Sequence, residues 1–280
     1  MAQNYSGYDG RLVLITGGSS GLGLALAQLL AREGARVWIL ARHKEKLDAA
    51  LRSLPAADGQ HHGRITADVT NWDRVHAAVR RVKEEAGIPD LLINCAGAAH
   101  PAYVEDTPLA VFNQMMELNY FGTVHMVKAL LPDMLARGSG HIVNTSSMAG
   151  FYGPFGYAAY SGSKYAVRGF SDVLRLELKL KRANLRVSIV FPPDMDTPGM
   201  VEENRTKPFE TRVASEAMVK LLPPGKVAAA VLRGIRRGQY IILPGLDAQI
   251  QYRLVFLLGD AIYPVMDTVF GWAGRKKNMQ

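Results

Sequence analysis

A single cysteine, Cys95, stands in 280 residues. No disulfide can form within the chain, which excludes a stapled secreted scaffold and points to a reducing, cytoplasmic setting. With no base near it in sequence, Cys95 reads as a small apolar filler at a strand end and not as a nucleophile. Metal-ligand spacing is missing too. His61 and His62 lie in a polar loop without an acid or cysteine at ligand spacing, so no metal site is expected and both imidazoles are placed in solvent. Residues 1–10 have neither the basic start nor the apolar run of a signal peptide, and no stretch before residue 240 is apolar enough to span a bilayer, so the body should be soluble. The net charge is +8, yet no aromatic-interleaved basic stripe, zinc motif or recognition helix accompanies it. Nucleic acid is therefore excluded as a partner, and the excess charge suits an anionic cofactor or an anionic membrane.

What is present is an alternation of strand and helix signals. Residues 11–16 form a short apolar run of the kind that makes a fully buried parallel strand. Gly17-Gly-Ser-Ser-Gly-Leu-Gly23 follows at once, and helical periodicity resumes over 24–32. Glycines between a strand and a helix let the backbone approach a pyrophosphate, and the helix start offers free N–H groups and a positive dipole end. Further strands are expected at 35–41, 63–69, 90–97, 140–146, 185–191 and 239–243, with helices at 71–86, 107–137, from about 160 to 182, and 225–237. This predicts a Rossmann-type α/β fold: a doubly wound parallel sheet of about seven strands with helices on both faces, and ligands at the carboxyl ends of the strands.

The end of the second strand has no acid at Leu40 or Ala41, where a ribose 2′-hydroxyl would be held. Arg42, with Lys46 one turn later and Ser19 and Ser20 nearby in the fold, instead suits the 2′-phosphate of NADPH. A basic helix start that merely faces water fits the same residues. Asp68 ends the third strand, where its carboxylate can accept from an adenine amino group, and Asn94-Cys-Ala-Gly97 ends the fourth with small residues against which a ligand can lie. Asn119, among apolar neighbours, reads as structural, because a buried amide must be hydrogen-bonded.

Tyr160 and Lys164 lie four residues apart and so share one helix face. A fixed ammonium lowers the pKa of a phenol and makes it a better proton donor to a carbonyl. Ser147, thirteen residues earlier at the end of an apolar run, is expected across a cleft from Tyr160. Taken alone, Tyr-x-x-x-Lys also fits a packed ring and a solvated amine.

In this order, Thr16-Gly-Gly-Ser-Ser-Gly-Leu-Gly23, Asp68-Val69, Asn94-Cys-Ala-Gly97, Asn119, Ser147 and Tyr160-Ser-Gly-Ser-Lys164 resemble the short-chain dehydrogenase/reductase family across about residues 10–243. The resemblance implies that Tyr160 donates a proton to a ketone, Ser147 holds its oxygen, Lys164 tunes Tyr160 and bonds the nicotinamide ribose, and Asn119 anchors a water relay. It also implies cofactor contacts from Gly17, Ser19, Ser20, Gly21, Leu22, Gly23, Arg42, Lys46, Asp68, Val69, Asn94, Ala96, Gly97, Tyr160, Lys164, Pro192 and Thr197. Within the family, Pro192-Pro-Asp-Met-Asp-Thr-Pro-Gly199 and the charged stretch 202–212 resemble the branch that reduces the 3-keto group of long-chain sphingoid bases with NADPH. Pro193 departs from the glycine usual at that place in the wider family and agrees with this branch. A homo-oligomer, dimer or tetramer, is expected. A reductase of another lipid or steroid ketone is the alternative, and beyond it a non-catalytic scaffold, against which the intact Ser147, Tyr160 and Lys164 argue.

Residues 1–244 are thus expected to form the dinucleotide-binding and catalytic domain, with 199–222 as a lid over the substrate. Residues 245–280 form an apolar extension. Arg253, Asp260 and Asp267 interrupt it at seven-residue intervals, and Pro264 breaks helical bonding, so no uninterrupted run reaches the ~18 residues of a span. Amphipathic helices on a membrane surface, contacting it through 245–277, fit this pattern; so does a subunit interface or a cover over the substrate channel.

Overall fold

A computed structural model describes residues 7–57, 59–218 and 220–277. The expectation drawn from the N-terminal residues falls mostly on 1–6, outside the described residues.

Seven strands are found among the described residues: β1 (Leu12–Thr16), β2 (Arg36–Ala41), β3 (Gly63–Thr66), β4 (Leu91–Asn94), β5 (Gly140–Thr145), β6 (Leu185–Val190) and β7 (Ile241–Ile242). All pair in parallel in the order β3-β2-β1-β4-β5-β6-β7, so the sheet is the doubly wound one the alternation predicts. Val13 is in register with Val37 on one side and Leu91 on the other. The order reverses between β1 and β4, and a crevice therefore opens at their carboxyl ends.

Side chains alternate across the sheet and feed two cores. Val13 and Ile15 pack with α1 (Gly21–Arg32), α2 (Lys44–Arg52) and α9 (Pro224–Arg236). Leu12 and Leu14 pack on the opposite face with α3 (Trp72–Ala86), α5 (Gly122–Arg137) and α6 (Ala158–Leu180). α4 (Leu109–Met115) joins α5 through a π-helical turn, Met116–Phe121, which holds Asn119. Such turns recur at functional sites.

The charged stretch after β6 folds as two short helices, α7 (Pro198–Asn204) and α8 (Phe209–Met218). Thr197 caps α7 by accepting from the Met200 N–H, and Pro198 takes the first helical position, where its missing N–H costs nothing. The last strand is shorter than expected: only Ile241 and Ile242 pair with β6.

The chain ends in α10 (Leu246–Leu258), a 3-10 turn at Gly259–Ala261 and α11 (Ile262–Lys277). Taken together, 246–276 is long and apolar enough to cross a membrane by length and composition, its most apolar 18-residue window having a mean hydropathy of 1.5. No uninterrupted apolar run reaches that length, as expected from Arg253, Asp260 and Asp267, yet the segment meets the limit when two charges are allowed within it. Charges seven residues apart leave room for an 18-residue window with no more than two of them. The segment is not one straight rod. The backbone breaks at Gly259 (φ 52°, ψ −128°), and Pro264 falls in the first turn of α11. α11 lies back against α8, where Phe270 stacks on Phe155 and Ala273 is buried. α10 is fixed by Tyr252 and Phe256 against Phe151, and by Tyr252 against Phe191. The expected separation into a charged and an apolar face is not clean, since Arg253 and Leu257 are both exposed.

Candidate active site

At the reversal point the β1 to α1 turn folds so closely that a side chain is excluded. Gly17 adopts φ +68°, and a Cβ there would stand 2.9 Å from the Ala96 nitrogen. The buried Thr16 hydroxyl accepts from the Cys95 and Ala96 N–H groups, 3.1 Å each, and so ties this turn to the end of β4. The turn carries Ser19 and Ser20 into the start of α1 at Gly21, Leu22 and Gly23, and Thr197 reaches across so that its methyl lies 3.5 Å from where a Gly21 Cβ would be. Pro192 and Pro193, between β6 and Thr197, are half-buried.

Arg42 and Lys46 are both exposed at the end of β2 and the start of α2, with no ion-pair partner among the described residues. Asp68 spends one oxygen on the Thr70 N–H and hydroxyl, at 3.0 and 2.9 Å. Val69, buried, follows it and accepts from or donates to nothing with its side chain; its carbonyl meets the His125 ring at 2.9 Å. Asn94 donates to Asn144 at 2.9 Å, and Asn144 to Ser171 at 2.9 Å, a buried relay that locks β4, β5 and α6 together.

Lys164, 4% exposed, turns inward from α6 and donates to the Thr145 carbonyl at 3.0 Å. Its Nζ lies 5.6 Å from the centre of the Tyr160 ring. A Cβ at Gly97 would be 2.7 Å from Asn119 Oδ1 and 3.4 Å from Lys164 Nζ, so glycine alone fits between them. Asn119 is fully buried, accepts from the Ala98 N–H, and donates to the Ala98 carbonyl and the Ser163 hydroxyl. Its amide is spent on structure, as the residue-level reading has it. Ser147 accepts from the Ala149 N–H at 3.2 Å and is hydrogen-bonded to the Tyr160 phenol. The structure thus brings Asn119, Ser147, Tyr160 and Lys164 together with Gly97, at the carboxyl ends of β4 and β5.

Burial pulls the Lys164 ammonium down to about 8, with Cys95 opposing. The Tyr160 phenol is raised above its ordinary value: burial contributes most, Glu203 and Asp194 add to it, and the Ser147 bond works the other way. Lys164 does not produce the lowering expected of it: desolvation of the phenol sets the direction of the shift. Tyr160 consequently holds its proton at neutral pH. Burial pushes the Cys95 thiol up to about 11, in keeping with a filler.

One expectation about the histidines changes. His62 is not a solvated ring: its Nδ1 accepts from the Val37 N–H at 3.1 Å, which leaves Nε2–H to donate to the Pro55 carbonyl at 2.9 Å. His61 is exposed. No group of three or more potential metal ligands occurs among the described residues.

In front of Ser147 and Tyr160 lies a cavity of about 510 Å³. Its lining carries Tyr152, Tyr157, Asp194 and Glu203, an acidic cluster with two phenols, together with residues of α8, α10 and α11. Sequence reasoning missed this acidic cluster. Glu203 accepts from the Tyr157 hydroxyl and pairs with the Lys207 ammonium at 3.4 Å. The Glu203 and Lys207 spacing of four residues was the available signal.

The family model for short chain dehydrogenase matches residues 11–208. The chain belongs to the short-chain dehydrogenase/reductase family. It is 37% identical to a 3-ketodihydrosphingosine reductase of Mus musculus over 82% of this chain and 70% of that protein. A 3-ketodihydrosphingosine reductase of Dictyostelium discoideum is also 37% identical, over 83% of this chain and 74% of that one. Among solved structures, an actinorhodin polyketide ketoreductase with NADPH superposes with a TM-score of 0.73 at 30% identity, covering 86% of this chain and 96% of the other. The Tyr160 region of this family member therefore has relatives named for ketone reduction.

Proposed function

We propose that this chain reduces the 3-keto group of a long-chain sphingoid base, 3-ketodihydrosphingosine to dihydrosphingosine, with NADPH. The observation that carries the reading is the cavity itself, which is lined both by Ser147 and Tyr160 and by apolar side chains such as Val265, Val269 and Phe270. The names of the relatives support the same substrate.

The residues present fit a dinucleotide. Gly17, Ser19, Ser20, Gly21, Leu22 and Gly23 form the cradle for the pyrophosphate, at the amino end of α1. Arg42 and Lys46 take the 2′-phosphate, Asp68 and Val69 the adenine, and Asn94, Ala96, Gly97, Pro192 and Thr197 the nicotinamide half. When bound, the cofactor supplies the hydride. Ser147 holds the ketone oxygen, and Tyr160, protonated at neutral pH, gives its proton to that oxygen as the alcohol forms. Lys164 bonds the ribose and steadies the phenolate that remains. Asn119 fixes the loop at Ala98 and supports Lys164 through the strip that Gly97 leaves open; a water relay from this point returns the proton.

Residues 1–244 serve as the catalytic domain, with 199–222 as the lid and 245–280 as an extension that shelters the alkyl chain. A peripheral position on the cytosolic face of an anionic membrane is supported by the exposed Leu246, Ile250, Leu257 and Trp272, followed by Arg275 and Lys276. Val173, Leu176 and Leu180 form an exposed apolar stripe on α6 suited to a second copy in a dimer. The test is to incubate the purified protein with the keto base and NADPH and to follow cofactor absorbance. Consumption is expected in the native protein and not in Tyr160→Phe; retained activity in that variant would sink the mechanism.

A further inference from the structure

The cavity beside Tyr160 holds a carboxylate for which proton transfer has no use. Asp194 follows Pro192 and Pro193, and its backbone is pinned: its carbonyl accepts from the Leu222 N–H at 3.1 Å, and the Asp196 N–H donates to the Leu222 carbonyl at 3.1 Å. Its side chain faces the same cavity as Ser147 and Tyr160. Glu203 next to it is fully engaged by Tyr157 and Lys207. The Asp194 carboxylate makes no hydrogen bond or ion pair with the described residues.

The surroundings leave that charge unbalanced. Lys207 is matched by Glu203, so the three groups together carry one negative charge in excess. Burial, then Glu203, raise Asp194 above the ordinary carboxylate value, while Lys207 pulls it back. Asp194 in turn raises the phenols of Tyr152, Tyr157 and Tyr160, which places it within electrostatic reach of the proton-donating hydroxyl. The exposed Lys220 and Asp247, of opposite sign, stand on the lining as well. A sheltered carboxylate without a partner is costly unless a cation meets it.

We infer that Asp194 is the acceptor for a substrate ammonium group carried on the carbon next to the ketone. The inference rests on the proposed reading, in which the substrate is a 2-amino-3-ketone: an amine on the adjacent carbon can only be met by an acceptor beside the Ser147 and Tyr160 hydroxyls. Asp194 lines the same cavity and is coupled electrostatically to the Tyr160 phenol, and the apolar lining takes the chain. The subsite selects amino ketones over neutral ketones of equal length, since a neutral ketone leaves the carboxylate dehydrated and unpaired.

The experiment compares the keto base with a 1-hydroxy-3-ketone of the same chain length that lacks the amine, in the native protein and in Asp194→Asn. A charged hydrogen bond predicts that the native preference for the amino ketone, read as the ratio of kcat/KM values, falls by about 10- to 100-fold in the variant, mainly through KM. NADPH fluorescence shows whether the variant still binds cofactor. An unchanged ratio would overturn the inference while leaving the reductase reading intact. Turnover of the neutral ketone with none of the amino ketone by the native protein would overturn both. Should Asp194→Asn fail to fold, inhibition of the native enzyme by octadecylamine and by octadecanol gives the same answer. About tenfold tighter inhibition by the amine is expected, and equal inhibition contradicts the subsite.

Discussion

The two walls of the Tyr160 cleft are built by different means. On the cofactor side, sheet hydrogen bonds hold the chain and the decisive feature is missing side chains: Gly17 lies against Ala96, and Gly97 between Asn119 and Lys164. On the substrate side, α10 and α11 are held by aromatic contacts to Phe151 and Phe155, α11 packs on α8, and a half-buried ion pair, Glu203 with Lys207, ties α7 to the residues that follow it. The first wall has almost no freedom, because an added methyl strikes the Ala96 backbone or the buried Asn119 amide. The second can change its side chains without disturbing the sheet, and there substrate choice is set.

Substitutions should separate the walls by what they change. Tyr160→Phe, at their junction, should lower kcat by about 10³-fold with NADPH binding retained, checked by steady-state rates and cofactor fluorescence. Gly97→Ala forces the buried Asn119 amide to move and should cost about 10²-fold in kcat/KM, with weaker NADPH binding. Arg42→Ala should raise KM for NADPH by at least about tenfold and leave NADH unaffected, because only the phosphorylated ribose needs the guanidinium; equal losses would refute the assignment. Lys164, at about 8, is charged below that pH and neutral above it, so kcat/KM for NADPH should fall by up to about tenfold per unit above pH 8. A profile flat to pH 10 would show that its charge is not needed. The smallest effect belongs to the other wall: Phe270→Ala should raise KM for a long-chain ketone by about three- to tenfold and leave NADPH binding alone.

The same contrast explains what could be read from the chain. Gly17 to Gly23 follows an apolar run that reads as a buried strand, so the strand, turn and helix were legible, as was the spacing that brings Ser147, Tyr160 and Lys164 together. Local rules suffice where the backbone makes the site. Asp194, Glu203 and Tyr157 escaped because they meet only in three dimensions: nothing in the order of residues 157, 194 and 203 says that they share a cavity. The direction of the Tyr160 shift was misjudged for a related reason, since spacing shows that a lysine is near but not how deeply both groups are desolvated. For His62, partners 25 residues upstream and seven upstream turn a polar loop residue into a bonded one. The return of α11 onto α8 depends on a break at Gly259 that hydropathy alone does not register.

The claim that these walls enclose a long-chain keto base is tested most directly by one assay: purified protein with 3-ketodihydrosphingosine and either NADPH or NADH, with the product identified by mass. Reduction to dihydrosphingosine with NADPH, and far slower reduction with NADH, is the expected result. No reduction of this ketone alongside ready turnover of a steroid or short-chain ketone would contradict the account.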